Sequence, residues 1–148
     1  MEIGIKIKKL RPDAKIPAYA TEGSAACDLC FAGDGELTIA PGETAMVPTG
    51  LSISPGRGDV AAFIYARSGL AAKRGVAPAN CVGVVDSDYR GEIKVALHNH
   101  SAEPFTVAPG DRIAQMVIAP VIKASFEVVS ELDDTERSSG GFGSTGIK

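Results

Sequence analysis

The most constraining feature of this 148-residue sequence is a series of short apolar or alternating runs, separated at close intervals by glycine and proline. The first run, IGIKIKKL at positions 3–10, alternates apolar and charged side chains, as a half-buried strand does. Similar runs follow: ACDLCF, ELTI, TAMV, DVAAFIY, CVGVV, EIKVAL, RIAQMVIAPV and SFEVV. Between them stand the turn signals APGE, PTG, SPGRG and APGD. The pattern predicts an all-β sandwich, jelly roll or barrel, and it lacks the strand–helix–strand alternation of a Rossmann fold.

One segment departs from the β pattern. Ser68, the helix formers GLAAKR and then Gly75 predict a single short helix near residues 68–75, with Ser68 as its N-cap. Arg67, Ser68 and Gly69 would then surround a helix start, where free N–H groups favour an anion. The segment therefore indicates either a phosphate site or an ordinary capped helix with an exposed arginine.

A second polar segment is NCVGVVDSDYRGEI, at residues 80–93. Its flanking apolar strands predict a hairpin, and polar residues at the tip are what a turn requires. The side chain of Asn80, which offers both a donor and an acceptor, could instead read the edge of a flat base. A carboxylate from this tip could accept a proton from water beside a bound phosphate.

Composition and charge exclude several classes of protein. The length and the 45% share of hydrophobic residues suit one globular domain, with a mean hydropathy of +0.10. The net charge of −3 and the pI of 5.4 argue against a polymeric nucleic acid as partner. No apolar run is long enough for a bilayer, and the alternating amino terminus does not resemble a signal peptide, so we expect no membrane association and a cytoplasmic location.

The cysteines and histidines indicate no metal site by themselves. Cys27 and Cys30 form a CxxC, but residues three apart on a strand point to opposite faces, which favours buried thiols over zinc or redox chemistry. An odd set, completed by Cys81, argues for reduced thiols. His98 and His100 are expected to be exposed or packing residues, with metal binding as the alternative.

The chain ends in RSSGGFGSTGIK, a stretch so rich in glycine that it should be disordered unless something binds it. A phosphate-binding Walker A motif is excluded, because no lysine follows the glycines at the required place. Five segments together are similar to the ordered motifs of the trimeric dUTPase family: ACDL at 26–29, ARSGLA at 66–71, NCVGVVDSDYRGEI at 80–93, GDRIAQ at 110–115 and RSSGGFGSTG at 137–146.

The resemblance implies a fold, an assembly and a reaction. The fold would be a distorted jelly roll or β-barrel over residues 1–132, in a homotrimer, with a flexible arm at 133–148 that closes over a neighbouring subunit's site. The reaction would be Mg2+-assisted attack of water on the α-phosphate of dUTP, giving dUMP and pyrophosphate. Such an activity limits uracil incorporation into DNA and supplies dUMP for thymidylate synthesis.

The resemblance also implies roles for individual residues. Asp86 would be the general base, while Asn80 and the backbone near Val84, Val85 and Lys94 would read uracil, and Tyr89 would pack under the deoxyribose. Arg67, Ser68 and Gly69 would bind phosphate oxygens, and Asp28 and Gln115 would hold Mg2+ through water or contact the phosphates.

In the arm, the resemblance implies that Phe142 stacks on uracil. Arg137, Ser144 and Thr145 would bind the γ-phosphate, and Gly143 and its neighbouring glycines would let the backbone wrap the phosphates.

Two other functions stay open at this stage. A dCTP deaminase-like enzyme would share the fold and the nucleotide site, but its deamination needs its own glutamate beside the base, and no deaminase motif is found. A non-catalytic nucleotide-sensing trimer would tolerate the loss of Asp86 or of the arm, and both are present.

Overall fold

The computed structural model describes residues 2–141, which form eleven strands and one helix. The strands are β1 (Lys6–Lys9), β2 (Cys27–Cys30), β3 (Leu37–Ile39), β4 (Thr44–Pro48), β5 (Leu51–Ser54), β6 (Val60–Tyr65), β7 (Val76–Pro78), β8 (Gly83–Val85), β9 (Lys94–Asn99), β10 (Phe105–Val107) and β11 (Arg112–Pro120). The helix, α1 (Ser68–Arg74), connects β6 to β7. The all-β prediction with one short helix is therefore confirmed.

The strands form four antiparallel sheets. Their orders are β2-β11-β6-β8, β4-β9-β7, β1-β5 and β10-β3. Within residues 2–141 these sheets stay separate and do not close into a barrel. Leu29 of β2, Leu51 of β5 and Leu97 of β9 are completely buried and belong to three different sheets, so one hydrophobic core joins the sheets.

Strand β11 is the longest and pairs with both β2 and β6. Its pairing with β2 places Gln115 opposite Asp28 and Arg112 opposite Cys30. Between these pairs the register shifts by one residue, which leaves Ile113 without a partner on β2. This is a β-bulge, the local device by which a strand takes up one extra residue.

Helix α1 begins differently from the prediction. Arg67, with an extended backbone, is the N-cap residue and Ser68 is already the first helical residue, so the prediction of Ser68 as N-cap was wrong. No side chain caps the helix start, which leaves the Ser68 hydroxyl free for another partner. The end agrees with the prediction, because Gly75 adopts the left-handed conformation (φ 64°) that favours glycine.

The run SFEVV, at residues 125–129, was predicted as a strand and is not one. Residues 121–141 contain no strand or helix. The side chains of Ile122, Phe126 and Val128 are 98%, 92% and 99% exposed. A segment with a strand-like sequence forms a strand only when another strand pairs with it. This segment has no such partner within the described part of the chain. We call residues 121–141 the C-terminal segment.

Within residues 2–141, no helix has the length and the hydropathy needed to cross a bilayer.

Candidate functional site

The first candidate cleft lies between β8 and β9 and has a volume of about 390 Å³. Six of the sequence-predicted residues line it: Asn80, Val84, Val85, Asp86, Tyr89 and Lys94. We call it the hairpin cleft, and we call the polar connection that closes one end of it the 86–93 loop. Residues predicted separately as base-reading, sugar-packing and catalytic groups thus surround one cavity.

This cleft exists because β8 and β9 do not pair with each other. The sequence predicted a simple hairpin, but β8 is an edge strand beside β6, whereas β9 lies between β4 and β7 in another sheet. The expected two-stranded ribbon is therefore wrong. The partners available to β9 in the three-stranded sheet separate it from β8 and open the space between them.

The backbone of Lys94 faces this space. Ile93 exchanges hydrogen bonds with Thr49 and Leu51, which lie on one edge of the strand. Ala96 accepts from Ala79 on the other edge. Hydrogen-bonding direction alternates along a strand, so Lys94 points to the Ala96 edge, beyond the end of β7 (Val76–Pro78). Its backbone N–H and C=O therefore point away from the Thr49 and Leu51 edge, on the side of the cleft.

Asp86 and Asp88 lie in different environments. The Asp86 carboxylate is exposed and lines the cleft, and no group of residues 2–141 hydrogen-bonds it. It can therefore accept a proton or hydrogen bond from water. Asp88 is also exposed but does not line the cleft, in agreement with a turn-forming role.

The 86–93 loop is held by contacts on both of its sides. Within it, Arg90 Nη1 donates to the carbonyls of Ser87 (2.8 Å) and Tyr89 (2.9 Å), and the Tyr89 hydroxyl donates to the Glu92 carbonyl (3.0 Å). From outside, residues 49–52 bind its returning half, and we call this segment the 49–52 brace. Loop positions are therefore fixed by the fold before any ligand binds.

Three side-chain contacts and one backbone bond make up most of the brace. The Ser52 hydroxyl donates to the Arg90 carbonyl (2.8 Å), and the Gly50 N–H donates to Glu92 Oε1 (2.9 Å). The buried Thr49 hydroxyl donates to the Ile93 carbonyl (2.7 Å), and the Ile93 N–H donates to the carbonyl of Leu51 (2.8 Å).

The second candidate cleft, of about 480 Å³, lies where β2, β11 and the start of α1 meet. The sequence-predicted residues that line it are Asp28, Arg67, Ser68, Gly69 and Gln115. Asp28 and Gln115 are direct partners across the β2–β11 pairing. We call this the arginine cleft.

Two arginines and one carboxylate give the arginine cleft its charge. Arg67 Nε donates to Asp28 Oδ1 (2.9 Å), and Arg112 Nη1 donates to Asp28 Oδ2 (3.1 Å). Arg67 also donates to the carbonyl of Arg112 (3.3 Å). Two positive side chains on one negative side chain leave a local excess of positive charge, which favours an anionic ligand.

Arg112 is the residue that sequence reasoning missed. It stands in GDRIAQ, three positions before Gln115, and received no role although the motif was recognised. The structure places it in the arginine cleft. Its position inside this motif, three residues before Gln115, was the signal that the sequence offered.

Gln115 and Asp28 are better suited to bind a cation through its water molecules than to coordinate it directly. The Gln115 amide donates to the carbonyl of Ala66 (2.8 Å), which orients its own carbonyl oxygen. Residues 2–141 contain no group of three or more histidine, cysteine, aspartate or glutamate side chains able to hold a metal. One carboxylate with one amide oxygen fits Mg2+, which keeps several waters and takes the remaining ligands from phosphates.

Arg137, the predicted arm residue that falls within residues 2–141, does not line either cleft. Arg137 is exposed and donates to the carbonyl of Gly140 (2.9 Å), and neither cleft is lined by any residue of the C-terminal segment. Phe142, Gly143, Ser144 and Thr145 lie outside the described residues. The two clefts also share no lining residue among residues 2–141.

The thiols of Cys27 and Cys30 are buried, as predicted, and both cysteines are free. Burial raises the pKa of each thiol, which keeps them protonated. Cys81 is also free, but it is exposed. His98 hydrogen-bonds Thr44 through Nδ1 (2.9 Å) and packs edge-on against His100, so the pair makes structural contacts.

Comparison with known proteins gives consistent matches. A sequence model of the dUTPase family matches residues 12–146. The chain is 54% identical over 147 residues to the deoxyuridine 5'-triphosphate nucleotidohydrolase of Desulfitobacterium hafniense (strain DSM 10664 / DCB-2), covering 98% of this chain and 97% of that protein.

Two solved structures share the fold. A mutant dUTPase of Staphylococcus bacteriophage 80alpha with dUpNHpp superposes with a TM-score of 0.88 at 22% identity, covering 97% of this chain and 99% of that one. A mutant dUTPase from phage phi11 of S. aureus, in which the coordination of a structural Mg(II) ion is described, gives 0.79 at 18% identity, covering 88% and 99%. The predicted jelly-roll architecture is confirmed by this likeness of fold.

Proposed function

This chain belongs to the dUTPase family, and from that premise we propose that the hairpin cleft and the arginine cleft are complementary parts of its active site. The enzyme hydrolyses dUTP to dUMP and pyrophosphate. One observation supports this assignment of the clefts. The residues suited to contact a base and a sugar line the first cleft, and the residues suited to bind phosphates line the second. A deoxynucleoside triphosphate needs both.

In the hairpin cleft, the nucleoside is selected by fit and by hydrogen bonds. The amide of Asn80 and the open backbone groups near Val84, Val85 and Lys94 match the polar edge of uracil. Tyr89 forms the wall under the deoxyribose, where an added 2'-hydroxyl would clash or lose its water.

In the arginine cleft, the triphosphate is bound and its charge is neutralised. Arg67 is already positioned by Asp28, and the uncapped start of α1 presents the Ser68 hydroxyl and the backbone of Gly69 to the phosphate oxygens. Asp28 and Gln115 would hold Mg2+ through its waters. When bound, the ion supplies positive charge to the phosphate oxygens.

Asp86 acts on the attacking water. Its carboxylate is not hydrogen-bonded within residues 2–141, so it can orient a water molecule and accept its proton as oxygen bonds to the α-phosphorus. Pyrophosphate leaves with the electrons of the broken phosphorus–oxygen bond.

A homotrimer is the assembly that would bring these parts together. The clefts share no lining residue, and the C-terminal segment exposes apolar side chains that one chain leaves uncovered. Exposed apolar surface on this scale is typical of a protein interface. We propose that residues 1–132 form the core unit, that the exposed part of the C-terminal segment packs on a neighbouring subunit, and that residues 133–148 close over that neighbour's site. Arg137, Phe142, Gly143, Ser144 and Thr145 then complete it.

The compartment proposed is the cytoplasm. All three cysteines are free thiols, which supports a reducing environment. There the activity limits uracil incorporation into DNA and supplies dUMP for thymidylate synthesis.

The test is release of pyrophosphate from dUTP, dCTP, dTTP and UTP with Mg2+ present. We expect rapid release from dUTP only, and its loss in Asp86→Asn. Ammonia released from dCTP would instead identify a deaminase. Binding of dUTP without turnover would identify a nucleotide sensor.

A further inference from the structure

Gly91 lies against the hydroxyl end of the Tyr89 side chain. A methyl group at position 91 would be 2.5 Å from Tyr89 Cζ and 2.9 Å from Cε2, and the hydroxyl oxygen is closer still. Carbon atoms in contact are about 3.5–4.0 Å apart. No side chain can therefore occupy position 91 while the Tyr89 ring keeps this position.

The ring is the obstacle, and the backbone is not. The three atoms nearest to the added methyl group all belong to Tyr89. Gly91 is not among the glycines with positive φ, so its backbone conformation is open to alanine. The sequence keeps the smallest residue at this position because the aromatic ring occupies the adjacent space.

The ring has a second restraint, at its hydroxyl group. The Tyr89 hydroxyl donates to the carbonyl of Glu92, and the Glu92 carboxylate is itself held by the N–H of Gly50. The 49–52 brace thus fixes the acceptor, and the bare backbone of Gly91 lets the ring fold back far enough to reach it. Tyr89 is 46% exposed, so packing from above does not hold it in place.

We propose that Gly91 is a positioning residue for sugar discrimination, acting through Tyr89 to hold the ring low in the hairpin cleft. This inference rests on the proposed function, in which Tyr89 is the wall under the deoxyribose. A side chain at position 91 displaces the Tyr89 ring, and with it the wall under the deoxyribose. The enzyme then loses its fit to deoxyribose more than its ability to bind a triphosphate.

The test is a double-mutant cycle on the ratio of kcat/KM for dUTP to kcat/KM for UTP. Gly91→Ala should lower the ratio about tenfold or more, the scale of discrimination that fit in a pocket provides. In a Tyr89→Ala background the same change should leave the ratio unaltered, because the atoms that the methyl group meets are gone. A loss of stability alone would not depend on Tyr89 in this way.

Gly35→Ala is the matched control, since a methyl group there meets nothing within 4 Å and the position is outside both clefts. Its ratio should equal that of the wild type. If Gly91→Ala does not fold, the Tyr89→Ala/Gly91→Ala double variant should fold. Failure of both to fold would overturn the inference, because the glycine would then be needed by the backbone.

An unchanged ratio in folded Gly91→Ala would overturn the inference while leaving the proposed function intact. The proposed function fails separately, and visibly, if the wild-type protein shows no preference for dUTP over UTP.

Discussion

The 86–93 loop and the C-terminal segment both carry sequence motifs of the same family, but the chain treats them differently. The loop is polar and half of its residues are exposed, yet the 49–52 brace and its own hydrogen bonds fix it. The C-terminal segment carries several large apolar side chains, among them Ile122, Phe126 and Val128, and these are exposed. Its hydrogen bonds are the anchor from Val121 to the carbonyl of Asp59 and local turn contacts at 135–140.

The difference shows which part of the site a single chain can complete. Backbone groups and hydroxyls of the same subunit satisfy the loop, so it is ready before substrate arrives. Apolar side chains such as Phe126 need a surface to cover them, and this subunit provides none within residues 2–141. The first region is held by its own subunit, whereas the second would need another surface to cover it, as the proposed trimer provides.

The largest expected effects on turnover come from removing the Asp86 carboxylate of the loop or the part of the C-terminal segment that begins at Arg137. Asp86→Asn should reduce turnover at least about a hundredfold, the usual scale for a lost general base, with dUTP still bound. Asp88→Asn, outside the cleft, is the control and should retain turnover. A chain that stops before Arg137 should also be nearly inactive. Turnover and dUTP affinity, measured separately, distinguish these variants.

Mixing the two inactive proteins tests whether the segment acts on another subunit. After joint unfolding and refolding, about a quarter of the sites in randomly assembled closed trimers combine an intact Asp86 with an intact arm from a different chain. Hydrolysis should therefore return. Mixed trimers verified by mass spectrometry but lacking hydrolysis would show that the arm serves its own subunit, since no chain carries both parts.

A smaller effect is expected in assembly. Phe126→Ser should weaken trimer association by about 1.5–3 kcal/mol per subunit, the value of burying one such side chain, without affecting the fold of the subunit. Glu127→Ser, in the same exposed stretch, is the control. Sedimentation velocity over a dilution series measures the difference. Equal dissociation of both variants would mean that Phe126 is not at an interface.

The smallest expected effect is a difference in the free energy of unfolding between a variant in the brace of the loop and a variant in the C-terminal segment. Thr49→Val removes a buried hydroxyl that bonds the Ile93 carbonyl, and should lower the free energy of unfolding by about 0.5–1.5 kcal/mol, because the Thr49 N–H still bonds that carbonyl. Thr135→Val removes an exposed hydroxyl that accepts from Ser138, and should leave it unchanged. Urea denaturation provides both values. Equal losses would contradict the view that only the loop region is braced.

Much of the fold could be predicted from alternation and turn residues, and the failures have physical causes. Strands β5, β7 and β10, at LSIS, VAP and FTV, were not predicted; each has at most four residues and adjoins glycine- or proline-containing turns. SFEVV has strand propensity but no partner strand, and propensity alone does not make a sheet. Ser68 could not be distinguished from an N-cap, because the helix boundary depends on the backbone of Arg67.

The motifs predicted which residues belong to the candidate site, but not how they divide. That Asn80 and Asp86 lie in one cleft and Arg67 and Gln115 in another follows from which sheet each strand joins, and sheet assignment is a long-range property. Arg112 was missed for a related reason. Its proximity to Asp28 depends on a pairing between strands far apart in sequence.

The bulge in β11 determines which of its side chains face Asp28 in the pairing with β2. Arg112 and Gln115 are three positions apart, an odd spacing that places side chains on opposite faces of a regular strand. The unpaired Ile113 adds one step against β2, so both residues face the same side, opposite Cys30 and Asp28. The function of this stretch therefore depends on the number of residues between Arg112 and Gln115 as well as on their side chains. Deletion of Ile113 would turn Arg112 away from Asp28 although Arg112, Gln115 and Asp28 were all still present, so the number of residues in this strand matters as much as their identity.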